Sequence, residues 1–131
     1  MKKSGWICLI VIASLLLVGG IVFGVVMLMP TKVESFDLED YRTYLENESF
    51  QVDLVLGETE TAEDAKEKAE DVWIERYGKD VKSQRPYAVY FDEQSEVWLV
   101  TGRLHFWADG GTASILIQKS DGRVLAVWHG K

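Results

Sequence analysis

The two histidines of the chain, His105 and His129, carry the side chains best suited to acid–base or metal chemistry. Together with Asp109 they would form a small site if the second and fourth predicted strands brought them together. Strand alternation, however, places both histidines on the face opposite Trp98 and Trp128, where a partly solvated position is expected. We therefore predict no catalytic residue, no metal and no cofactor, and a protein that is not an enzyme.

Two other groups of reactive residues have simpler explanations. The single cysteine, Cys8, lies in an apolar N-terminal run, so neither a thiol nucleophile nor a disulfide within the chain is expected. The carboxylates Asp92, Glu93 and Glu96 could hold a hard cation, but a solvated hairpin turn accounts for them. The sequence also contains no G-x-S-x-G, H-E-x-x-H, P-loop or dinucleotide-binding motif.

Trp107 is a candidate anchor for a protein partner, because it lies at the end of a predicted strand, beside the loop Asp109-Gly110-Gly111. Exposed tryptophans are frequent contact hot spots. The alternative is that Trp107 covers the open edge of the sheet. We predict a partner-binding surface formed by His105, Trp107, Asp109, Gly110 and Gly111.

An α+β domain over residues 61–131 would position this surface. Thr61 is a good helix N-cap, an apolar stripe with helical spacing follows it, and Gly78 is placed to end the helix. Residues 31–60 are predicted to form a linker with two short elements: a helix at about 36–46 and a strand or extended arm at 52–56.

After Pro86 the hydrophobic period changes from about 3.6 to 2, which predicts strands. Hairpin-sized connections between them favour a four-stranded antiparallel meander. The predicted strands cover residues 87–92, 96–106, 112–118 and 123–129. One face of this sheet would pack on the helix and the other would be partly solvated.

The N-terminal residues 1–30 are predicted to be a signal anchor that is not cleaved. Residues 6–29 contain no charged side chain and would span about 36 Å as a helix, enough to cross a bilayer. Two lysines ahead of the run favour a cytoplasmic N-terminus, which places the domain outside the cell membrane. Gly20 and Gly24 form a G-x-x-x-G pair that could allow the anchor to dimerise.

The charge of the chain excludes some classes of partner. Beyond residue 30 there are 12 Lys and Arg residues against 21 Asp and Glu residues, a net charge of −9. This balance argues against a nucleic-acid binder and against adhesion to anionic lipid. An acidic inhibitor would gain association rate towards a basic toxin, although simple solubility also explains the charge.

A series of landmarks over about residues 61–131 resembles the bacterial immunity proteins with a fold like nuclear transport factor 2. In chain order they are Ala65 and Ala69, Trp73, Tyr77-Gly78, Arg85-Pro86-Tyr87, Trp98, Val100, Gly102 and Leu104, Gly110-Gly111, Ile115 and Ile117, Asp121-Gly122 with Val124, and His129-Gly130-Lys131. The resemblance implies a cystatin-like or NTF2-like arrangement of a helix on a curved antiparallel sheet. It also implies a protein that binds and neutralises a toxin domain without catalysis.

Two alternatives to an immunity protein stay open. The terminal hairpin with Asp121-Gly122 also resembles the small PepSY domains, which would imply an extracytoplasmic regulator of a peptidase or envelope enzyme. A third hypothesis is a small-molecule-binding or catalytic domain with a conical pocket near His105.

Overall fold

The computed structural model describes residues 31–105 and 110–130. Within these two ranges no helix has the length and apolar character that a membrane crossing requires. The predicted anchor at residues 6–29, with Cys8 and the Gly20–Gly24 pair, lies outside the described residues. The architecture is therefore that of the unit Thr31–Lys131 alone.

A sheet of five strands forms the centre of this unit. Along the sheet its strands are β1 (Val33–Ser35), β2 (Ala88–Asp92), β3 (Val97–Thr101), β4 (Ala113–Gln118) and β5 (Val124–His129). The antiparallel meander predicted after Pro86 is confirmed in β2 to β5. The prediction of four strands is wrong by one, because β1 pairs in parallel with β2 at the edge.

Strand β3 is shorter than its predicted range of 96–106. It ends at Thr101, although the Gly102 N–H still donates to the Ala113 carbonyl at 2.8 Å. The next N–H, that of Arg103, donates instead to the main-chain carbonyl of Gln84 at 2.8 Å. The chain thus leaves the sheet at Gly102 and pairs with a different element.

The long helix α2 (Ala62–Tyr77) confirms the predicted helix. The Thr61 hydroxyl accepts a hydrogen bond from the Asp64 N–H at 3.1 Å, and the helix ends at Gly78, where φ is +91°. Ala65, Ala69, Val72 and Trp73 are buried on the sheet. The two alanines allow close approach, and the Trp73 ring meets the Tyr87 ring edge-on, with centroids 5.0 Å apart.

The opposite face of the sheet is also covered, so the prediction that it is partly solvated is wrong. The predicted helix at 36–46 is instead a 3₁₀ helix (Leu38–Tyr41) followed by the short helix α1 (Arg42–Glu46), with a second 3₁₀ helix at Glu48–Phe50. Their apolar side chains pack on Val97, Leu99, Leu116, Ala126 and Trp128. The Tyr44 ring stacks on the Trp128 ring, with centroids 3.9 Å apart. We name this cover of residues 36–50 the aromatic layer.

A bulge in β5 decides which residues face the aromatic layer. Ile117 is opposite Val124, but the next pair is Leu116 with Ala126, so that Leu125 is the extra residue. One extra residue moves all later side chains to the other face. Trp128 therefore faces the aromatic layer while Trp98 faces α2, and the prediction that the two share a face is wrong.

Residues 52–60 form a strap across the β4–β5 hairpin. The predicted strand at 52–56 is reduced to one bridge, between Val55 and Arg123. The Leu56 N–H donates to the Gly122 carbonyl at 2.9 Å, and the Thr59 carbonyl accepts from the Trp98 indole N–H at 2.7 Å. The strap thus joins the hairpin to the core under α2.

The Lys68 ammonium of α2 holds the strap from the other side. It donates to the carbonyls of Gly57 at 3.2 Å and Glu58 at 2.6 Å, and to the Thr59 hydroxyl at 3.2 Å. It also pairs with Asp64 at 3.1 Å. The side chain of Lys68 therefore supplies hydrogen-bond donors to main-chain oxygens of the strap, which lie outside the sheet.

Candidate partner-binding cleft

An open cleft of about 540 Å³ lies at one end of the sheet. Three elements form it: the last turn of α2, a third 3₁₀ helix (Lys79–Gln84), and the chain on either side of residues 106–109. Its lining includes Tyr77, Gln84, Arg103, Leu104, His105 and His129.

The cleft brings together three of the five residues predicted to bind a partner. His105, Gly110 and Gly111 line it. Trp107 and Asp109 lie outside the described residues. The described part of the predicted surface is therefore one continuous patch.

His105 and His129 both line this cleft. The strand pattern predicted a partly solvated position for both histidines, but it did not predict that Tyr77 and Gln84 lie beside His129. The His129 ring packs edge-on against the Tyr77 ring, with centroids 5.2 Å apart, and its Nε2 lies 3.3 Å from Gln84 Nε2. Among residues 31–105 and 110–130, no group of three or more His, Cys, Asp or Glu side chains is arranged to hold a metal ion.

Gln84 fixes the floor of the cleft, and the sequence did not predict this role. Its side-chain Oε1 accepts from the Ala113 N–H at 2.8 Å, while its main-chain carbonyl accepts from Arg103. A Cβ atom on Gly102 would lie 2.1 Å from this Oε1. The glycine inside a predicted strand was the available signal, because it indicated a close approach without identifying the partner.

The loop that carries Gly110 and Gly111 is anchored by a second close approach. A Cβ atom on Gly111 would lie 2.0 Å from the carbonyl carbon of Gly130, and the Gly130 N–H donates to the Thr112 carbonyl at 3.0 Å. Main chain thus packs directly on main chain, which holds the rim of the cleft against the end of β5.

Large apolar side chains are exposed at the rim. Leu104 is 49% exposed and Tyr77 is 36% exposed. Among the described residues, the other large exposed apolar side chains are Val33 and Val55. The cleft is therefore the place in the described domain where two such groups border one concave surface, as expected of a protein contact.

A charged network behind the cleft connects α2 to the chain that follows the third 3₁₀ helix. Arg85 Nε donates to Glu70 Oε2 at 2.7 Å, and the Tyr87 hydroxyl donates to the same oxygen at 2.6 Å. The hydrogen bond from Arg85 is the main cause that lowers the pKa of Glu70. Burial, and then the hydrogen bond to Glu70, raises the pKa of Tyr87 to about 12.

The carboxylate of Asp92, in the acidic β2–β3 hairpin, has a structural role because it accepts hydrogen bonds from neighbouring segments. Asp92 accepts from the N–H groups of Leu38 at 3.1 Å and Gln94 at 3.0 Å, and from the Ser95 hydroxyl at 2.9 Å. The Leu38 N–H is the main cause that lowers the pKa of Asp92. Asp92 thus joins the β2–β3 turn to the aromatic layer.

A sequence model of a family described as NTF2 fold immunity proteins matches residues 65–131, just over half of the chain. The chain belongs to this family. Comparisons with curated proteins and with solved structures gave no match. The predicted resemblance is confirmed, and the helix on a five-stranded sheet fits the NTF2-like fold. Nothing in the comparisons supports the PepSY alternative.

The span of the family match separates the cleft from a second depression in this immunity protein. All described residues that line the cleft lie within the matched range of 65–131. An open groove of about 820 Å³ beside the β4–β5 hairpin takes Leu45 and residues 51–53 of its lining from outside that range. The cleft is therefore the stronger candidate for a contact that belongs to the family's role.

Proposed function

We propose that this NTF2 fold immunity protein binds a protein toxin and neutralises it without catalysing a reaction. The family match over residues 65–131 is the observation on which this proposal rests. A family of immunity proteins implies a toxin as partner, and inhibition by binding requires a surface rather than reactive groups.

The cleft is our candidate for the toxin-binding surface. Its support is the exposure of Leu104 and Tyr77, the three predicted residues at its rim, and its position within the matched range. The cleft is also open, which favours a protein contact over an enclosed small ligand.

We further propose that residues 6–29 anchor the protein in the cell membrane with the domain outside. The support is the uncharged apolar run and the two lysines that precede it. A toxin met there would act at the wall, at the membrane or during entry, because a cytoplasmic nuclease would be out of reach.

Affinity capture tests the toxin-binding proposal. The tagged full-length chain, solubilised in mild detergent, is incubated with envelope and secreted fractions, and its partners are identified by mass spectrometry. We expect one stoichiometric partner with a toxin domain, lost in Leu104→Asp and retained in Val55→Asp, a control of comparable exposure on the strap. A peptidase partner would contradict the proposal.

Protease accessibility tests the location. Spheroplasts and detergent-treated spheroplasts from cells expressing the chain with a C-terminal tag are exposed to a protease, and the tag is followed by immunoblot. We expect loss of the tag in spheroplasts without detergent. Protection of the tag until detergent is added would place the domain inside the cell and overturn this part of the proposal.

A further inference from the structure

The two edges of the sheet differ in how far they are covered. At the β5 edge, the strap pairs with the start of the strand, where the Val124 N–H donates to the Leu54 carbonyl at 3.0 Å, and residues 126–128 are buried. At the β1 edge, all three residues are exposed, and Val33 is 42% exposed. In the part of the chain that the structure describes, β1 is therefore the edge that has room for another strand.

The outer side of β1 offers main-chain groups to another strand. β1 pairs in parallel with β2, from Val33 opposite Val89 to Ser35 opposite Phe91, and no further strand of the described sheet lies beyond it. Because the N–H and C=O groups of a strand alternate between its two sides, some of those in β1 point away from β2. Such donors and acceptors match the main chain of another extended segment.

Two opposite charges flank the exposed valine of this edge. Lys32 Nζ lies 3.6 Å from Glu34 Oε1, so the two side chains are on the same face of the strand. Both are largely exposed to solvent, and an ion pair of this kind holds its members weakly. Each charge is therefore available to an opposite charge on a partner strand.

The order Lys32-Val33-Glu34 complements itself when two copies run antiparallel. With Val33 on the twofold axis, Lys32 of each copy lies opposite Glu34 of the other, and the two valines face each other. A parallel pair in the same register would instead set Lys32 against Lys32 and Glu34 against Glu34. Charged side chains are one means by which edge strands avoid each other, but at this edge the charges attract a second copy.

We propose that β1 is a contact edge at which a second copy of the chain pairs antiparallel. The pairing would join two five-stranded sheets into one sheet of ten strands, with each β1 still bonded to its own β2. No β1 residue is among the described residues that line the cleft, so the pairing would occupy neither cleft. This inference concerns self-association and does not depend on the proposed binding of a toxin.

Site-directed cross-linking tests the register of this contact. The full chain in mild detergent carries Cys8→Ser, which removes the one native thiol, and either Val33→Cys or Val55→Cys. On the twofold axis the two Cα atoms of residue 33 would be about 4.5–5.5 Å apart, within the span of a disulfide. After mild oxidation we expect at least about five times more covalent dimer for Val33→Cys than for Val55→Cys, although Val55 is the more exposed at 61%. Equal yields from the two variants, or no dimer from Val33→Cys, would overturn the inference.

Charge exchange tests the complementarity. Two differently tagged copies of the full chain are mixed in detergent, and co-capture of one with the other is quantified. Lys32→Glu alone and Glu34→Lys alone should each lower co-capture about fivefold or more, since like charges would then lie opposite each other. A mixture of these two variants, and the double variant Lys32→Glu/Glu34→Lys, should restore it. Arg123→Glu, a charge reversal at the β4–β5 hairpin, is the matched control and should leave co-capture unchanged.

The same variants separate this contact from other forms of association. Lys32 and Glu34 are exposed, so we expect every variant to keep the unfolding midpoint of the wild type, which excludes misfolding as the cause of a loss. Association through the predicted anchor would not depend on these charges, so equal co-capture in all variants would overturn the inference. Loss in the single variants without recovery in their mixture would also overturn it.

Discussion

Tyr87 is a residue whose ionisation the fold changes strongly. Its pKa in the folded protein is about 12, above the value of about 10 for an unfolded chain. Its contribution to stability is therefore fully present below about pH 10 and is lost as the pH rises towards 12. We expect the free energy of unfolding to fall in this window for the wild type, and to fall less for Tyr87→Phe, in urea titrations at several pH values.

Glu70→Gln is the matched control for this pH effect. It keeps the tyrosine buried but removes the charged acceptor, so the loss between pH 10 and 12 should become smaller without vanishing. If the wild type and Tyr87→Phe lost stability in parallel over the same window, Tyr87 would not be the group responsible.

A substitution at Gly122 tests how closely the strap approaches the β4–β5 hairpin. Its φ is +72°, and an added Cβ would lie 2.0 Å from the Gly57 carbonyl oxygen. Gly78 has a φ of +91° but no atom within 4 Å of such a Cβ, so Gly78→Ala isolates the backbone strain, about 1–2 kcal/mol. We expect Gly122→Ala to cost about 1–3 kcal/mol more in chemical denaturation. Equal costs for Gly122→Ala and Gly78→Ala would mean that the strap moves to accommodate the added methyl group.

At the residue scale the sequence identified residues at the rim of the cleft but none at its floor. His105, Gly110 and Gly111 were selected because a histidine and a glycine pair after a strand are visible locally; they line the cleft, and their role in binding a partner stays a prediction. Gln84 was missed because its role depends on two main-chain partners distant in sequence, Arg103 and Ala113. A polar side chain that bonds main chain leaves no periodic signal.

The bulge in β5 is the element on which the two-sided packing depends. Deleting Leu125 would restore strict alternation with Val124 and Val127 still towards α2 and Ala126 and Trp128 still towards the aromatic layer. Inserting one alanine after Ala126 would instead turn Trp128 towards α2. We expect the deletion variant to keep a cooperative transition and the insertion to abolish it, measured by near-ultraviolet circular dichroism and urea titration. Leu125→Ala keeps the register and should cost only about 1–2 kcal/mol. Loss of cooperativity in the deletion variant, with the insertion tolerated, would contradict the pairing of β4 with β5 around this bulge.

The stacking of Tyr44 on Trp128 gives the aromatic layer a direct test. Tyr44→Ala removes the stacked ring and leaves a cavity over Trp128, which we expect to cost about 2–4 kcal/mol in urea unfolding followed by tryptophan fluorescence. Thr43 is exposed on the same helix, and Thr43→Ala should cost less than about 0.5 kcal/mol. Similar costs for the two variants would mean that the layer adds little to stability.

At the element scale, local signals explain which predictions succeeded. Helix α2 carries its cap, its stripe and its terminator within its own sequence, so it was predicted almost to the residue. Strand β1 has three exposed residues and forms only because β2 offers an edge. The covered outer face was missed for a related reason: the bulge changes the alternation on which the assignment of faces relied.

The domain as a whole requires the chain before residue 61. A fragment of residues 61–131 lacks the aromatic layer and the Thr59 carbonyl that accepts from the Trp98 indole. We expect this fragment to unfold without a cooperative transition in urea, whereas Thr31–Lys131 should retain one. A cooperative transition of the short fragment at the same midpoint would contradict this.

The cleft and the two cores share few residues, and this has a consequence for how specificity could change. Tyr77, Arg103, Leu104 and His129 belong to neither buried cluster on the two faces of the sheet. Substitutions at these four positions therefore leave both cores packed. If the toxin binds at the cleft as proposed, exchanging these rim residues between two members of the family should exchange their toxin specificity while the scaffold stays the same.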